Sequence, residues 1–512
     1  MSEGAAAPQR GLARIGLASG PSRIAAGTVA FFLIGAMASI EAASSLLGAA
    51  KDAVIGSFDW LFVAVASLAV ATVALLALHP RANVRLGPPD SRPEFGRLAW
   101  FAMLFSAGLA SGLLYWATAE PILHHQGNPF LAELGAGAPP EAAVRTAMRL
   151  TVLHWGLHGW AFYVLCGLGI AIYGYRHGHP LSFRTAFHPV LGADRLGRWP
   201  GHTLDLIALF GTVCGVATSI GLSAGALNAT LASLVGVTVG TPNQIGIVLA
   251  VCLLGVLSAV SGLSRGIRRL SEVNVWVSAA LLLAFVTLGP TRFLGELFLD
   301  TAWDYLRHGL PAGAWLGDTS AEKGWQASWT VFYWGWWLAW TPFVGLFIAR
   351  ISRGRTVREF AVAVMGVPAL VILLWMSILG GTALHQEIAD PGAVSAAVNR
   401  DYSLGIAVVI ANLAQGSVGT VLLLATTFLL LTWLVTSLDS ATLVICHLVG
   451  AGEAPAVKAF WGVALAATTA ALLLVGGLPA LQSASIVVGL PLAVLMVVLS
   501  GGVLFDLARS RL

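Results

Sequence analysis

The sequence predicts an all-α, polytopic membrane protein with 12 transmembrane helices, most of them arranged as two inverted five-helix repeats. Three observations carry this. Only 10% of the 512 residues are charged and 57% are hydrophobic, with a mean hydropathy of +0.83, a composition that water-soluble chains of this length do not have. Twelve apolar segments, each long enough to cross a bilayer, follow one another through short polar joints. Of the 28 lysines and arginines, 21 fall on alternate joints that share the side of the N-terminus, and 7 fall on the other side. That bias places both termini in the cytoplasm.

The segments lie at about 24–47, 59–79, 97–119, 145–173, 203–235, 243–262, 271–289, 325–349, 357–384, 404–446, 456–476 and 479–506. Arg10, Arg14 and Arg23 precede a first apolar run that reaches Leu47, too long for a cleaved leader, so it reads as an uncleaved span. The outer joints hold Lys51, Arg145, Arg149, Arg292, Arg307, Lys323 and Arg400. Segments five and ten exceed the length a span requires, so each includes an end outside the hydrocarbon.

Two segments carry weak points five positions apart in the order. The third is interrupted at Ala107-Gly108-Leu109-Ala110-Ser111-Gly112, and the eighth contains Pro342. Paired interruptions point to an inverted repeat that binds its ligand at the broken helices. The repeats are then 97–289 and 325–506, with two peripheral helices in 24–96 and short cytoplasmic tails at 1–23 and 507–512. Between the repeats, 290–324 is too polar to span. Phe293, Leu297, Trp303 and Leu306 recur there at helical spacing, which predicts an amphipathic helix on the outer face.

Several functions are disfavoured. The basic runs Arg265–Arg269 and Arg350–Arg358 read as solvated loop charges, and neither belongs to a soluble module that would bind nucleic acid. Cys166, Cys214, Cys252 and Cys446 sit in apolar runs without ligand spacing, as buried inert thiols. No nucleophile–base pair marks an enzyme.

The most informative stretch is Trp325 to Arg355. Six of the 18 tryptophans fall between Trp325 and Trp340. Spanning helices keep tryptophan at their ends, yet Trp336, Trp337 and Trp340 lie near mid-span. Such indoles either pack helices or offer ring faces to a cation. In segment four, LHWGLHGWAFY (Leu153–Tyr163) sets Trp155, Trp160 and Tyr163 around Gly156 and Gly159 within about 140° of a helical wheel. Aromatics flanking glycines give a concave face suited to a trimethylammonium head. His154 and His158 stand four apart, as metal ligands can, but they face away from the aromatics and have no acid in their own stretch. Packing or hydrogen bonding is their reading. The glycine run of segment three either packs closely or unwinds to offer backbone groups to a ligand. Asp439 is an ionisable group within a span, a proton relay or a structural acceptor paired with a neighbouring helix.

FYWGWWLAWTPFVGLFIARISRGRTVREF (Phe332–Phe360) resembles the signature of the betaine/choline/carnitine transporter family, and FSAGLASGLLYWATAEP (Phe105–Pro121) is similar to that family's third-helix motif. The resemblance implies a LeuT-like fold, a secondary transporter of small quaternary-ammonium solutes in the bacterial plasma membrane, and a homotrimer among membrane lipids. It maps an aromatic box onto Trp155, Trp160, Tyr163 and Trp337, with Tyr115 and Trp340 as neighbours and Gly108, Ala110, Ser111 and Gly112 as the backbone contribution. Ala110 and Ser111 stand where the family has more glycine. A sodium coupling ion is implied too, held by Thr436 and Ser437 hydroxyls with the carbonyls of Trp433, Ser106 and Leu109. A second ion site involves Phe343 and Thr212, although Val216 occupies its partner position. Choline carriers of the family tend to have an acid late in the third-helix motif. Phe105–Ala119 has none, so a zwitterion such as glycine betaine or dimethylsulfoniopropionate is expected. The alternatives are a proton-coupled choline or carnitine carrier, an exchanger, or a channel.

Overall fold

The computed structural model describes residues 11–108, 111–135, 139–261 and 264–508; the side chains of 105–108, 111, 258–261, 264–269 and 271 lie outside the description. Among the described residues there is no strand, only an isolated bridge between Arg85 and Thr356. Among the described residues, eight helices are long and apolar enough to cross a membrane, or nine if one sharply bent pair counts as a single span. The chain is an all-helical polytopic membrane protein.

The first two helices, α1 (Gly20–Ala38) and α2 (Ile40–Leu78), meet at Ser39, whose extended backbone ends one and whose side chain caps the other through Ala42 N–H. Residues 40–47, the end of the first apolar run, therefore belong to the second helix. Segment three forms α3 (Arg97–Gly108) and α4 (Ser111–Gln126). Segment four is in two pieces, α5 (Pro140–Trp155) and α6 (Leu157–Ala171), parted by Gly156 at φ −92° and ψ −133°. The long α7 (Trp199–Val235) is followed by α8 (Thr241–Ser261) and α9 (Ser264–Leu288). Next, α10 (Thr291–Asp304) turns away at 113°, the amphipathic helix expected between the halves.

The tryptophan-rich stretch becomes a π turn (Ala327–Val331) and α11 (Phe332–Ile351), enclosed by α6, α7 and the C-terminal α15 (Pro455–Ala508). It stays helical through Pro342, so the interruption expected there does not occur. The π turn, five residues before the indoles of mid-span, is where this helix departs from regularity. After it come α12 (Val357–Ala389), α13 (Gly405–Leu413), α14 (Gly416–Leu448) and α15 (Pro455–Ala508). Within α15 the non-helical Gly476 and Gly477 separate the last two apolar segments.

The loop after α11 corrects the expectation of solvated charge. Arg355 is buried, donates to Glu359 at 2.7 Å and to the Phe95 carbonyl at 2.6 Å, and lies over the Trp100 ring. Arg358 donates to the carbonyls of Ala77, in the last turn of α2, and of His79, the residue that caps it. Both arginines hold helix ends together.

Candidate functional site: an aromatic wall between α4, α5, α6 and α11

The break at Gly156 organises the site. Because α5 stops at Trp155, carbonyls of its last turn lack helical partners. That of His154 instead accepts Trp337 Nε1–H at 2.8 Å. On the other side, the first N–H of α6, at Leu157, donates to Tyr305 Oη at 3.1 Å. Gly159 supplies the seat. A Cβ there would lie 2.3 Å from the Trp337 indole, so only glycine lets the ring lie flat against α6.

The four sequence-predicted aromatics come together. Trp337 has its centroid 5.0 Å from Tyr163, 6.0 Å from Trp160 and 6.3 Å from Trp155, and Trp160 meets Tyr163 at 5.4 Å. These are edge-to-face or tilted contacts, worth about 0.5–1.5 kcal/mol each beyond burial. The rings form a packed wall whose faces are electron-rich.

The other candidates divide. Trp340 points away, donating to the Gly215 carbonyl at 2.9 Å and to Ser219 Oγ at 3.1 Å, with its ring against Phe343. Tyr115 packs beside Trp116 and Gly225 and touches none of the four rings. Trp336, a packing residue by its position, does join the cluster, with Trp155 at 5.7 Å. Gly112 lies directly under it, since a Cβ there would be 2.7 Å from the Trp336 ring. The glycine run of segment three therefore abuts the aromatic wall. Gly108 ends α3; Ala110 and the side chain of Ser111 lie outside the described residues.

Sequence reasoning missed Glu120. It lies on α4 one residue beyond the acid-free stretch, is completely buried, and accepts four hydrogen bonds. One oxygen takes His154 Nδ1 at 2.7 Å and His124 Nε2 at 3.2 Å. The other takes Trp155 Nε1 at 2.8 Å and the Tyr333 hydroxyl. His154 thus has an acid after all, from another helix. The signal was present as a glutamate inside a span, but its partners come from α5 and α11. Glu120, His124 and His154 each offer a ligand atom within 4.8 Å of the others. The two nitrogens turned toward Glu120 are at hydrogen-bonding distance from a single oxygen, and shared protons account for the arrangement. His158 stacks on Trp334 at 5.5 Å and takes no part.

The proposed ion ligands are partly placed. Thr436 donates to the Thr432 and Trp433 carbonyls, bonding back to its own helix and leaving its oxygen lone pairs free. Ser437 is half-buried beside it. The Ser106 side chain and Leu109 lie outside the described residues, so this set is not brought together among the described residues. Thr212 is buried in α7 and its hydroxyl has no hydrogen-bond partner. Its neighbour in sequence, Gly211, faces Ala339 of α11, one turn from Phe343. Hard oxygens of this kind fit sodium. Asp439 lines a cavity of about 10 Å³ with Thr442 and with Lys458 of the next helix.

A model of the betaine/carnitine/choline family of transporters matches residues 22–511. The chain is 37% identical to glycine betaine transporter 1 of Vibrio parahaemolyticus, over 95% of this chain and 93% of that protein. It is 37% identical to a glycine betaine transporter of Bacillus subtilis, over 89% and 88%. With an osmo-dependent choline transporter of Acinetobacter baylyi the identity is 36%, over 90% of this chain and 67% of that protein.

Proposed function

We propose, from the premise that this chain belongs to the betaine/carnitine/choline family of transporters, that it imports a small zwitterionic quaternary-ammonium or sulfonium solute by sodium-coupled alternating access. Family membership makes it a multi-pass membrane transporter of small solutes and not an enzyme. The finer reading rests on the wall of Trp155, Trp160, Tyr163 and Trp337, whose ring faces attract a cationic head by about 2 kcal/mol per desolvated contact. For the other end of the solute, the backbone N–H groups that an unwound glycine run at Gly108–Gly112 would offer suit a carboxylate. Gly112 and Glu120 are eight residues apart, about 12 Å along the axis, so the acid stands at the cation end alone. The hydroxyl oxygen of Thr436 supports the first sodium site and that of Thr212 the second, with bound sodium stabilising the outward-open form.

Twelve spans, repeats at 97–289 and 325–506, cytoplasmic termini and a homotrimer in the bacterial plasma membrane complete the reading. The buried Glu120 favours a rival, a proton-coupled choline or carnitine carrier or an exchanger. Uptake into liposomes with sodium and proton gradients imposed separately, across betaine, dimethylsulfoniopropionate, carnitine and choline, tests both. Choline uptake ahead of every zwitterion, or full uptake without sodium, overturns the first reading.

A further inference from the structure

Glu120, His124 and His154 belong neither to the aromatic wall nor to the ion ligands, yet Glu120 is bonded directly to Trp155 of the wall. The carboxylate is enclosed, and among the described residues no lysine or arginine pairs with it. Its four donors are His124, His154, Trp155 and Tyr333. His154 stacks on Tyr333 at 4.7 Å, with Trp329 parallel to it at 6.3 Å, and its Nε2 meets Thr330 Oγ1 at 3.3 Å. His124 is packed on Trp329 at 4.4 Å, and its Nδ1 has no hydrogen-bond partner. A buried nitrogen left without a partner is a place where a proton can be taken up.

Count the charge. With both imidazoles neutral the group carries one negative charge, and one added proton makes it neutral. Burying a net charge is costly, so the group gains from anything that cancels it. Two agents can do so: a proton on the cluster, or a cation held on the far side of Trp155. The charges on neighbouring elements are occupied elsewhere. Arg149 pairs with Asp304 at 3.2 Å, and Glu387 is held by the N–H groups of Gly392, Val394 and Ser395. His158 faces Trp334, and Asp401 takes Ser403 N–H.

We propose that Glu120, His124 and His154 form a proton-binding site linked through Trp155 to the cationic head of the solute, so that proton and head oppose each other's binding. The inference rests on the reading that the head binds at the aromatic wall. Glu120 is a positioning residue that acts on the solute through the indole. Linkage is reciprocal: a bound proton weakens the head's affinity, and a bound head expels the proton. This is opposite in sign to proton symport, in which proton loading strengthens solute binding.

Two measurements on the full-length protein test it. In liposomes with equal pH on both faces, the KM of the wild type for betaine is expected to fall about tenfold between pH 5.5 and 8.5, for one charge a Trp155 width away in a partly screened site. E120Q is expected to give a pH-independent KM near the wild type's acid value. In weakly buffered detergent solution, adding betaine to the wild type is expected to release protons, read by an indicator dye, with no variant needed. A flat wild-type KM, a KM that falls with acid, proton uptake on betaine addition, or a pH profile retained in E120Q would each overturn the linkage. If the protein carries betaine but shows one of these results, only the linkage fails. If it carries no quaternary-ammonium solute at all, the transport reading and the linkage fail together.

Discussion

Trp155 Nε1 donates to Glu120 at 2.8 Å, while the far edge of the same indole lies 3.8 Å from where a Cβ on Gly112 would be. One side chain thus reaches from the acid of α4 to the glycine at its start. On the proposed reading, selectivity for the solute is set along this line, with negative charge at one end and the glycine-run backbone at the other.

An acid placed at the glycine end should repel a carboxylate and favour choline. The structure adds a complication, because any side chain at Gly112 must displace Trp336. Gly112→Asn carries the same bulk without the charge. We expect both variants to lose affinity, and Gly112→Asp to show at least a tenfold higher choline-to-betaine ratio than Gly112→Asn in competition assays. Equal ratios would remove this position from carboxylate recognition.

Trp337→Ala is expected to raise the apparent KM at least tenfold, about 1.4 kcal/mol, with Trp337→Phe losing less because a smaller ring face remains. Unchanged binding by folded Trp337→Ala would take this indole out of the site.

Gly159→Ala should act on the same ring from beneath. Its methyl would sit 2.3–2.8 Å from Trp337 ring atoms, so the indole must lift from α6 and release the His154 carbonyl. Overpacking of this kind costs about 1–3 kcal/mol. A lower Tm together with a raised KM is the expected pair of results, and an unaltered KM would show that the seat does not shape the site.

Thr212→Val separates an ion ligand from an idle hydroxyl. Removing a buried hydroxyl that bonds nothing should leave stability unchanged or improve it. If Thr212 ligates sodium, the same variant requires several-fold more sodium for half-maximal uptake. Thr436→Ala/Ser437→Ala should do likewise, and sodium-independent uptake in both would exclude the ion sites.

The aromatic wall was legible in the sequence because tryptophan in mid-span is rare and the glycines beside it mark where rings can approach. The apolar runs were legible for the same physical reason, that each had to satisfy its own backbone in lipid. What stayed hidden depends on contacts between helices. A helical wheel assumes a continuous helix, so it could not show that Gly156 breaks segment four and frees the His154 carbonyl. It gave Pro342 the role of a break, whereas α11 runs through that residue. Local reading also left His154 without an acid, since Glu120 reaches it across 34 residues of chain. Arg355 and Arg358 looked like loop charges because their acceptors, Phe95 and the end of α2, lie some 260 and 280 residues earlier.

The bond from Leu157 N–H to Tyr305 has a mechanical consequence. A helix broken at one glycine is a hinge, and this hinge is tethered differently on its two arms. The arm bearing Trp155 is fastened to α4 through Glu120, and the arm bearing Trp160 and Tyr163 is leashed to the turn that follows α10. A displacement of α10 relative to α4 would therefore load the joint at Gly156, which sets Trp155 on one arm and Trp160 on the other.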